Sequence, residues 1–219
     1  MNKYNKFHGN YSEDEWIANN LQLPHKGVFV DVGASDAIKR SNTYHFEMND
    51  WTGLCIEADK FYFSDGIDNE GPNNPLPKFR KESINAAIGE IDGEVLFLSR
   101  DRKALSQIYS VDFFGENSSA SYSVNCYKLE TILHKYNIKY IDILDIACRG
   151  QDWKIWNSFD YKKYIPKVII TEHSARGFER DERVGDFLIS TGDYDLCHIT
   201  EPYYIIKHKN IEYKKEKKF

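Results

Sequence analysis

Apolar positions along the chain fall into short runs separated by helix-period stretches. Residues 27–33 read G-V-F-V-D-V-G, apolar on both faces until an acid and a glycine end the run. Residues 53–57, G-L-C-I-E, repeat the pattern and again close on an acid. Runs without alternation suit central parallel strands buried on both sides. Between them, Ser41 is placed to cap a helix reaching Met48. Upstream, Ser12-Glu13-Asp14-Glu15 has the form of a capping box and opens a helix to about Leu21, with Pro24 beyond it. Residues 64–78 carry loop chemistry, with three prolines among Asn and Gly. Residues 84–88 and 94–98 read as strands, and Asp92-Gly93 between them predicts a tight hairpin. Residues 110–123 are polar and form a surface loop or a lid.

Further along, helices are expected over 129–136, 151–159 and 179–191, the last closed by Gly192. Strands are expected over 140–147 and 168–172, and the strands 194–199 and 203–207 must pair antiparallel across Glu201-Pro202. Strands alternating with helices predict an α/β domain with a mostly parallel, seven-stranded sheet and a C-terminal antiparallel strand pair. The expected organisation is an N-terminal helical extension over 1–26, the domain over 27–208 and a basic tail over 209–219. Trp153 and Trp156, three apart on a helix, read as core.

Composition narrows the partners. A net charge of −5 over 219 residues does not suit a surface built to hold a nucleic-acid backbone. The exception is the lysine cluster at Lys207, Lys209, Lys214, Lys215, Lys217 and Lys218, expected to be a solvated tail. Cys55, Cys126, Cys148 and Cys197 form no C-x-x-C pair and no zinc spacing, so they read as reduced thiols. The first residues hold no apolar signal-type core and no stretch reaches membrane-spanning length, so a cytoplasmic protein without a membrane partner is expected. No metal ligand set is evident.

The candidate site lies in the turn Asp31-Val32-Gly33-Ala34-Ser35-Asp36, where a glycine would let a ligand approach the backbone. Glu57 ends the second strand 26 residues after Asp31, where an acid can accept hydrogen bonds from ribose hydroxyls. A dinucleotide site would want G-x-G-x-x-G, but only Gly33 is present, with Ser35 and Ile38 at the later positions. Asp31 and Asp36 would repel a pyrophosphate and suit an ammonium and a sulfonium. The cofactor expected is therefore S-adenosylmethionine rather than NAD.

The stretch FVDVGASDAIKRSNTYHFEMNDWTGLCIEAD resembles the opening block of the FkbM-type methyltransferases. The likeness rests on the D-x-G-A turn, Ser41-Asn42-Thr43, Phe46-Glu47 and Trp51-x-Gly53-Leu54-x-x-Glu57. Asn85-Ala86-Ala87-Ile88-Gly89, the segment LDIACRGQD over 144–152 and Ile169-Ile170-Thr171-Glu172 resemble the family's later strand segments. The resemblance implies a Rossmann-like class I methyltransferase domain and O-methyl transfer to a hydroxyl, often on a sugar. It also implies that Asp31, Gly33 and Ala34 line the methionine end, with Ser35 and Asp36 in the same cofactor-binding turn, and that Ser41, Asn42 and Thr43 open a helix beneath the cofactor. Glu57 would hold the ribose, with Ala58 beside it in the cofactor site, and Asn85 and Ala86 would lie near the adenine.

The chain departs from the family at three places. Ala37 stands near a usual glycine. Ala147 stands where the fourth-strand motif, roughly L-x-I-D-x-x-G-x-E, carries its acid, with Asp145 two residues earlier on the same strand face. Asp152 replaces the motif's glutamate. A hydroxyl is a weak nucleophile, so a general base is sought among Asp145, Asp152, Glu172 and His173. Two functions of different class follow: an active methyltransferase on a carbohydrate or other small hydroxyl compound, or a catalytically altered relative with a binding or scaffold role. A nicotinamide-dependent sugar enzyme is weakened by the missing glycines.

Overall fold

The computed structural model describes residues 4–64, 73–98, 107–109, 121–174 and 179–215. Seven strands form the main sheet, in the order β10-β11-β9-β8-β1-β2-β3. They are β1 (Val28–Val32), β2 (Thr52–Glu57), β3 (Ser83–Asn85), β8 (Ile143–Ile146), β9 (Val168–Glu172), β10 (Tyr194–Ile199) and β11 (Tyr203–His208). Neighbours from β3 through β9 run parallel, and β11 lies antiparallel between β9 and β10. A large, mostly parallel sheet with an antiparallel pair at its edge is thus what the apolar runs encode.

Strand alternation divides the core in two. Val30, Val32, Leu54, Ile56, Leu144, Ile146 and Ile169 face one side. There they pack with helices α4 (Leu129–Lys135), α5 (Asp152–Trp156) and α7 (Arg183–Ser190). Trp156 belongs to this core, and Trp153 packs against it. Phe29, Cys55, Ile143, Val168, Ile170 and Ile205 face the other side, with Ile17 and Leu21 of the N-terminal segment. Ile17 and Leu21 are wholly buried; each contributes about 1.5–3 kcal/mol. Helix α1 (Glu13–Asn20) therefore shares the core of the sheet.

Several local expectations are corrected. Helix α1 forms without the capping box: Ser12 sits at φ 65 and its side chain caps nothing. The acids turn back instead to hold the preceding loop, Glu13 accepting from the Tyr11 N–H, and Asp14 from the His8 and Gly9 N–H groups. Ser41 lies before α2 (Tyr44–Met48), and its Oγ accepts from the N–H groups of Thr43 and Tyr44. The hairpin at Asp92-Gly93 does not form. β4 (Ala87–Ile88) and β5 (Gly93–Leu98) belong to a second sheet ordered β4-β7-β5-β6, where both pair with β7 (Ser121–Tyr127) rather than with each other. The Asp92 carboxylate instead accepts from the Lys128 N–H and the Thr131 hydroxyl at the start of α4. β6 (Gln107–Tyr109) completes that sheet.

Most of the expected lid, residues 110–120, lies outside the described residues, and residues 121–123 belong to β7. Of the loop over 64–78, residues 65–72 also lie outside them, and a short helix, α3 (Leu76–Phe79), ends that stretch. A further short helix, α6 (Tyr161–Tyr164), had no sequence signal. The C-terminal segment is not free over 211–214. Tyr213 bridges to Leu21, the Lys214 N–H donates to the Asn20 carbonyl, and Ile211 is buried. Among the described residues no helix is long and apolar enough to cross a membrane.

Candidate active site

A cleft of about 630 Å³ opens at the carboxyl ends of β1, β2 and β8. That is the size of a small-molecule site, at the place where open α/β sheets bind ligands. Its floor is acidic. Asp31 and Asp145 are register partners on adjacent parallel strands, so their side chains leave the sheet on one face. Both are buried. Burial pushes the Asp31 carboxyl above the usual range, with Arg80 pulling the other way. Burial and the neighbouring Asp31 push Asp145 well above it. Asn42 Nδ2 donates to Asp145 Oδ2 at 3.0 Å, while Asp145 Oδ1 and Asn42 Oδ1 are buried without a partner among the described residues.

The Ser-Asn-Thr triplet has a structural task that the sequence did not reveal. Arg80 is buried beneath it. Its Nε donates to Glu47 Oε2 at 2.5 Å, Nη1 to Ser41 Oγ at 3.1 Å and to the Ala37 carbonyl at 3.3 Å, and Nη2 to Thr43 Oγ1 at 2.7 Å. Thr43 Oγ1 in turn donates to Asp31 Oδ2 at 2.5 Å. The triplet and Glu47 therefore anchor the turn after β1 to the chain entering β3. Thr43 lies in this network and does not line the cleft, whereas Ser41 and Asn42 do. No sequence signal marked Arg80, which sits in an ordinary polar stretch.

Glu57 closes β2 with both carboxylate oxygens engaged, Oε2 with the Ser35 N–H at 2.9 Å and Oε1 with the Asp59 N–H at 2.7 Å. Burial raises its carboxyl to about 7 against these two donors. Asp31, Gly33, Ala34, Ser35, Asp36, Ala58 and Ala86 line the cleft with it. Asn85 does not: its Nδ2 donates to the carbonyls of Glu57 and Ala58, fixing the end of β2 from the side. Tyr62, on the 3-10 helix Lys60–Phe63, and Phe97, on β5, add aromatic walls that the motifs had not marked. Tyr122 of β7 ties the second sheet to this wall, donating to Asp59 Oδ1 and accepting from the Lys60 N–H.

Gly33 is needed for a reason other than ligand approach. It sits at φ +90, and a Cβ there would lie 2.6 Å from the Ala147 carbonyl oxygen. The turns after β1 and β8 touch at this point. Gly33→Ala is expected to cost about 2–4 kcal/mol, from left-handed strain plus the forced separation of the two turns. Urea unfolding should show this as a lower midpoint at unchanged slope, and a midpoint equal to the parent's would refute the contact.

Of the four candidate bases, two face the cleft and two do not. Asp145 and Glu172 line it. Burial raises the Glu172 carboxyl, with the Arg149 N–H and the Arg149 charge opposing. Asp152 is turned inward. Oδ1 accepts from the Cys148 N–H, and Oδ2 from the Glu172 N–H and the Thr171 hydroxyl. It thereby staples the turn after β8 to β9, and burial with the nearby Glu172 raises it to about 8. His173 also points away: Nε2 meets the Thr200 carbonyl at 3.0 Å and the ring stacks on Tyr204. It follows the strand end, but the chain there has already turned towards the start of β11, and the carbonyl of Pro202, just before that strand, accepts its N–H. Ala147, Cys148 and Arg149 line the cleft in the altered fourth-strand motif. Among the described residues no cluster of His, Cys, Asp and Glu could hold a metal ion.

A family model described as the methyltransferase FkbM domain matches residues 31–195, from the first cleft acid into β10. No curated protein and no solved structure matches the chain significantly.

Proposed function

The chain belongs to the FkbM methyltransferase family, and from that premise we propose that it is an S-adenosylmethionine-dependent O-methyltransferase acting on a hydroxyl of a carbohydrate or other small molecule. The order of the main sheet, with a single antiparallel strand inserted beside its last member, supports the Rossmann-like class I methyltransferase arrangement. The observation that carries the proposal is the cleft floor: two adjacent buried acids, one with an oxygen lacking any donor, beside a third acid at the end of the next strand.

This set of acceptors fits the cofactor. Asp31 and Asp145 would face an ammonium, and Glu57 would accept from ribose hydroxyls, since each carboxylate oxygen keeps a lone pair beyond its present N–H partner. When bound, the cofactor supplies an electrophilic methyl group whose bonding electrons return to sulfur as the new O–CH₃ bond forms. Glu172, half-buried in the cleft lining, accepts the hydroxyl proton. Asp145, deeper and paired with Asn42, serves the cofactor side. The aromatic and apolar walls exclude water and orient the acceptor. The four unpaired thiols support a reducing, cytoplasmic setting.

Calorimetric titration tests the proposal. One equivalent of S-adenosylmethionine is expected to bind, and NAD to give no saturable heat. Absence of S-adenosylmethionine binding to folded protein would overturn it. A second reading, a cofactor-binding protein without turnover, is favoured by Ala147 lining the cleft where the family motif carries an acid. Cofactor binding without methyl transfer to any acceptor in a broad panel of hydroxyl compounds would select it.

A further inference from the structure

Of the charges lining the cleft the most buried are acids and the most exposed are cations, with the acids Asp36 and Glu172 half-buried like Arg149. The acids Asp31, Asp145 and Glu57 are buried at its floor. The cations stand at its mouth: Lys39 and Arg40, exposed, in the turn after β1, and Arg149, half-buried, in the turn after β8. Because β1 and β8 are adjacent, the two turns flank one opening. Among the described residues no ion pair or hydrogen bond takes up any of these three side chains, while the Arg149 charge lies close enough to Glu172 to pull its carboxyl down. The buried Arg80 spends its whole guanidinium on partners, and the surface arginines Arg180 and Arg183 are paired with acids.

Two of the three mouth cations sit on strained backbone, Arg40 at φ 67 and Arg149 at φ 50. A side chain in the left-handed region costs about 1–2 kcal/mol. Both turns are held there from outside. Arg40 bridges to Gly9, and the Arg149 N–H donates to Glu172 Oε2 at 2.6 Å. The fold thus holds each arginine in a fixed, unfavourable backbone state that presents it to the cleft. A chain with net charge −5 offers no general attraction for anions, so a cationic mouth is a local exception.

We propose, resting on the methyltransferase reading, that the acceptor is an anionic hydroxyl compound whose phosphate or carboxylate is held between Arg149 and the Lys39-Arg40 pair. Guanidinium groups match such oxyanions bidentately, and an ammonium adds a point charge. The signs are ordered for two reactants: the cationic cofactor meets the acids below, and the anionic acceptor meets the cations above. A neutral acceptor would leave the mouth cations unused, and a cationic one would be repelled by them.

Binding of glucose, glucuronate and glucose 6-phosphate is measured by NMR titration on protein saturated with S-adenosylhomocysteine. At least one of the two anions is expected to bind about tenfold or more tightly than glucose, and the better one identifies carboxylate or phosphate as the group held. A variant combining Lys39→Gln, Arg40→Gln and Arg149→Gln should lose that preference while still binding S-adenosylhomocysteine. Equal affinity for the three sugars, no binding of any, or a preference that survives in the variant would overturn the proposal. If S-adenosylhomocysteine fails to bind but the anion preference and its loss in the variant remain, the methyltransferase reading falls and the anion site stands.

Discussion

Arg80→Met is expected to lower the unfolding free energy by about 3–5 kcal/mol, the usual consequence of removing one partner from a buried ion pair. The magnitude follows from what would be left behind. Glu47 would lose its short contact with Nε, Ser41 and Thr43 would each lose a donor, and Asp31 would lose the cation 3.8 Å from its Oδ2. All four are buried. Methionine fills much of the volume but donates nothing, so carboxylates would remain in an apolar setting without compensation. For a chain of this size the loss corresponds to a melting temperature lower by about 6–20 °C. Arg80→Lys keeps the charge but not the planar fork that reaches Glu47, Ser41 and Thr43 together, and should fall in between. Lys78→Met, nearby and exposed, should change stability by less than about 0.5 kcal/mol. Guanidinium unfolding of the four proteins measures all of this. A value for Arg80→Met within 1 kcal/mol of the parent, against the about 3–5 kcal/mol expected, would mean that the network is not what anchors the first cleft turn.

Glu57→Ala is expected to reduce S-adenosylmethionine affinity by about a hundredfold or more, because two hydrogen bonds to a charged group are lost at once. Glu57→Gln retains one acceptor and should lose about tenfold. The parent protein should also lose affinity on acidification. Its Glu57 carboxyl, raised by burial to about 7, is neutral below that pH and accepts poorly from ribose hydroxyls. Affinity should therefore fall as pH drops through 7, and the Gln variant should show no such fall from this residue.

Stability should move the opposite way. A carboxyl raised in the folded state holds its proton more tightly there than in the unfolded chain. Its contribution is fully present below the ordinary carboxylate pKa and is lost as pH rises through about 7. Asp14, raised by burial to about 6, and Asp152, raised to about 8, carry the same sign. Melting temperature is thus expected to rise between pH 8 and pH 5.5 while cofactor affinity declines, a crossing that differential scanning fluorimetry and calorimetry would resolve. His8 and His45, lowered chiefly by burial, oppose this trend over the same range, so a pH dependence left unchanged in Asp152→Asn would contradict the burial of these acids.

The expected site was legible where it depended on neighbours in sequence. Asp31, Gly33, Ser35 and Asp36 lie on one turn, and a strand end fixes where such a turn faces. Glu57 was legible because a second strand of the same kind ends beside the first. Side-chain aim was not legible. Glu172 and His173 are adjacent, yet one lines the cleft and the other stacks on Tyr204, because successive residues at a strand end point to opposite sides. Asp152 looked like a catalytic acid by position and proves to be a staple between two strand ends. The Trp-x-Gly pattern reflects packing: a Cβ on Gly53 would lie 2.4 Å from the Phe29 carbonyl oxygen, and one on Gly27 would meet the Trp51 ring at 2.6 Å.

By itself the sequence located the strands of the main sheet, since hydrophobic periodicity is a local property that each segment carries alone; it gave no sign of β6 or β7. It also indicated the parallel direction of the central strands, the antiparallel close and the acidic character of the first two turns, but not the order of the strands in the sheet. Only the tertiary structure decided the rest. The turn at Asp92-Gly93 had the chemistry of a hairpin, but β7 lies between β4 and β5 and pairs with both. Strand pairing is chosen by the whole sheet and not by the loop between two segments. Arg80 acquired its role from residues 33–43 positions away, and the mouth cations acquired theirs from which two turns the sheet brings together. Such choices depend on which buried charges and apolar faces find partners across the fold, a condition that no single stretch of chain can state.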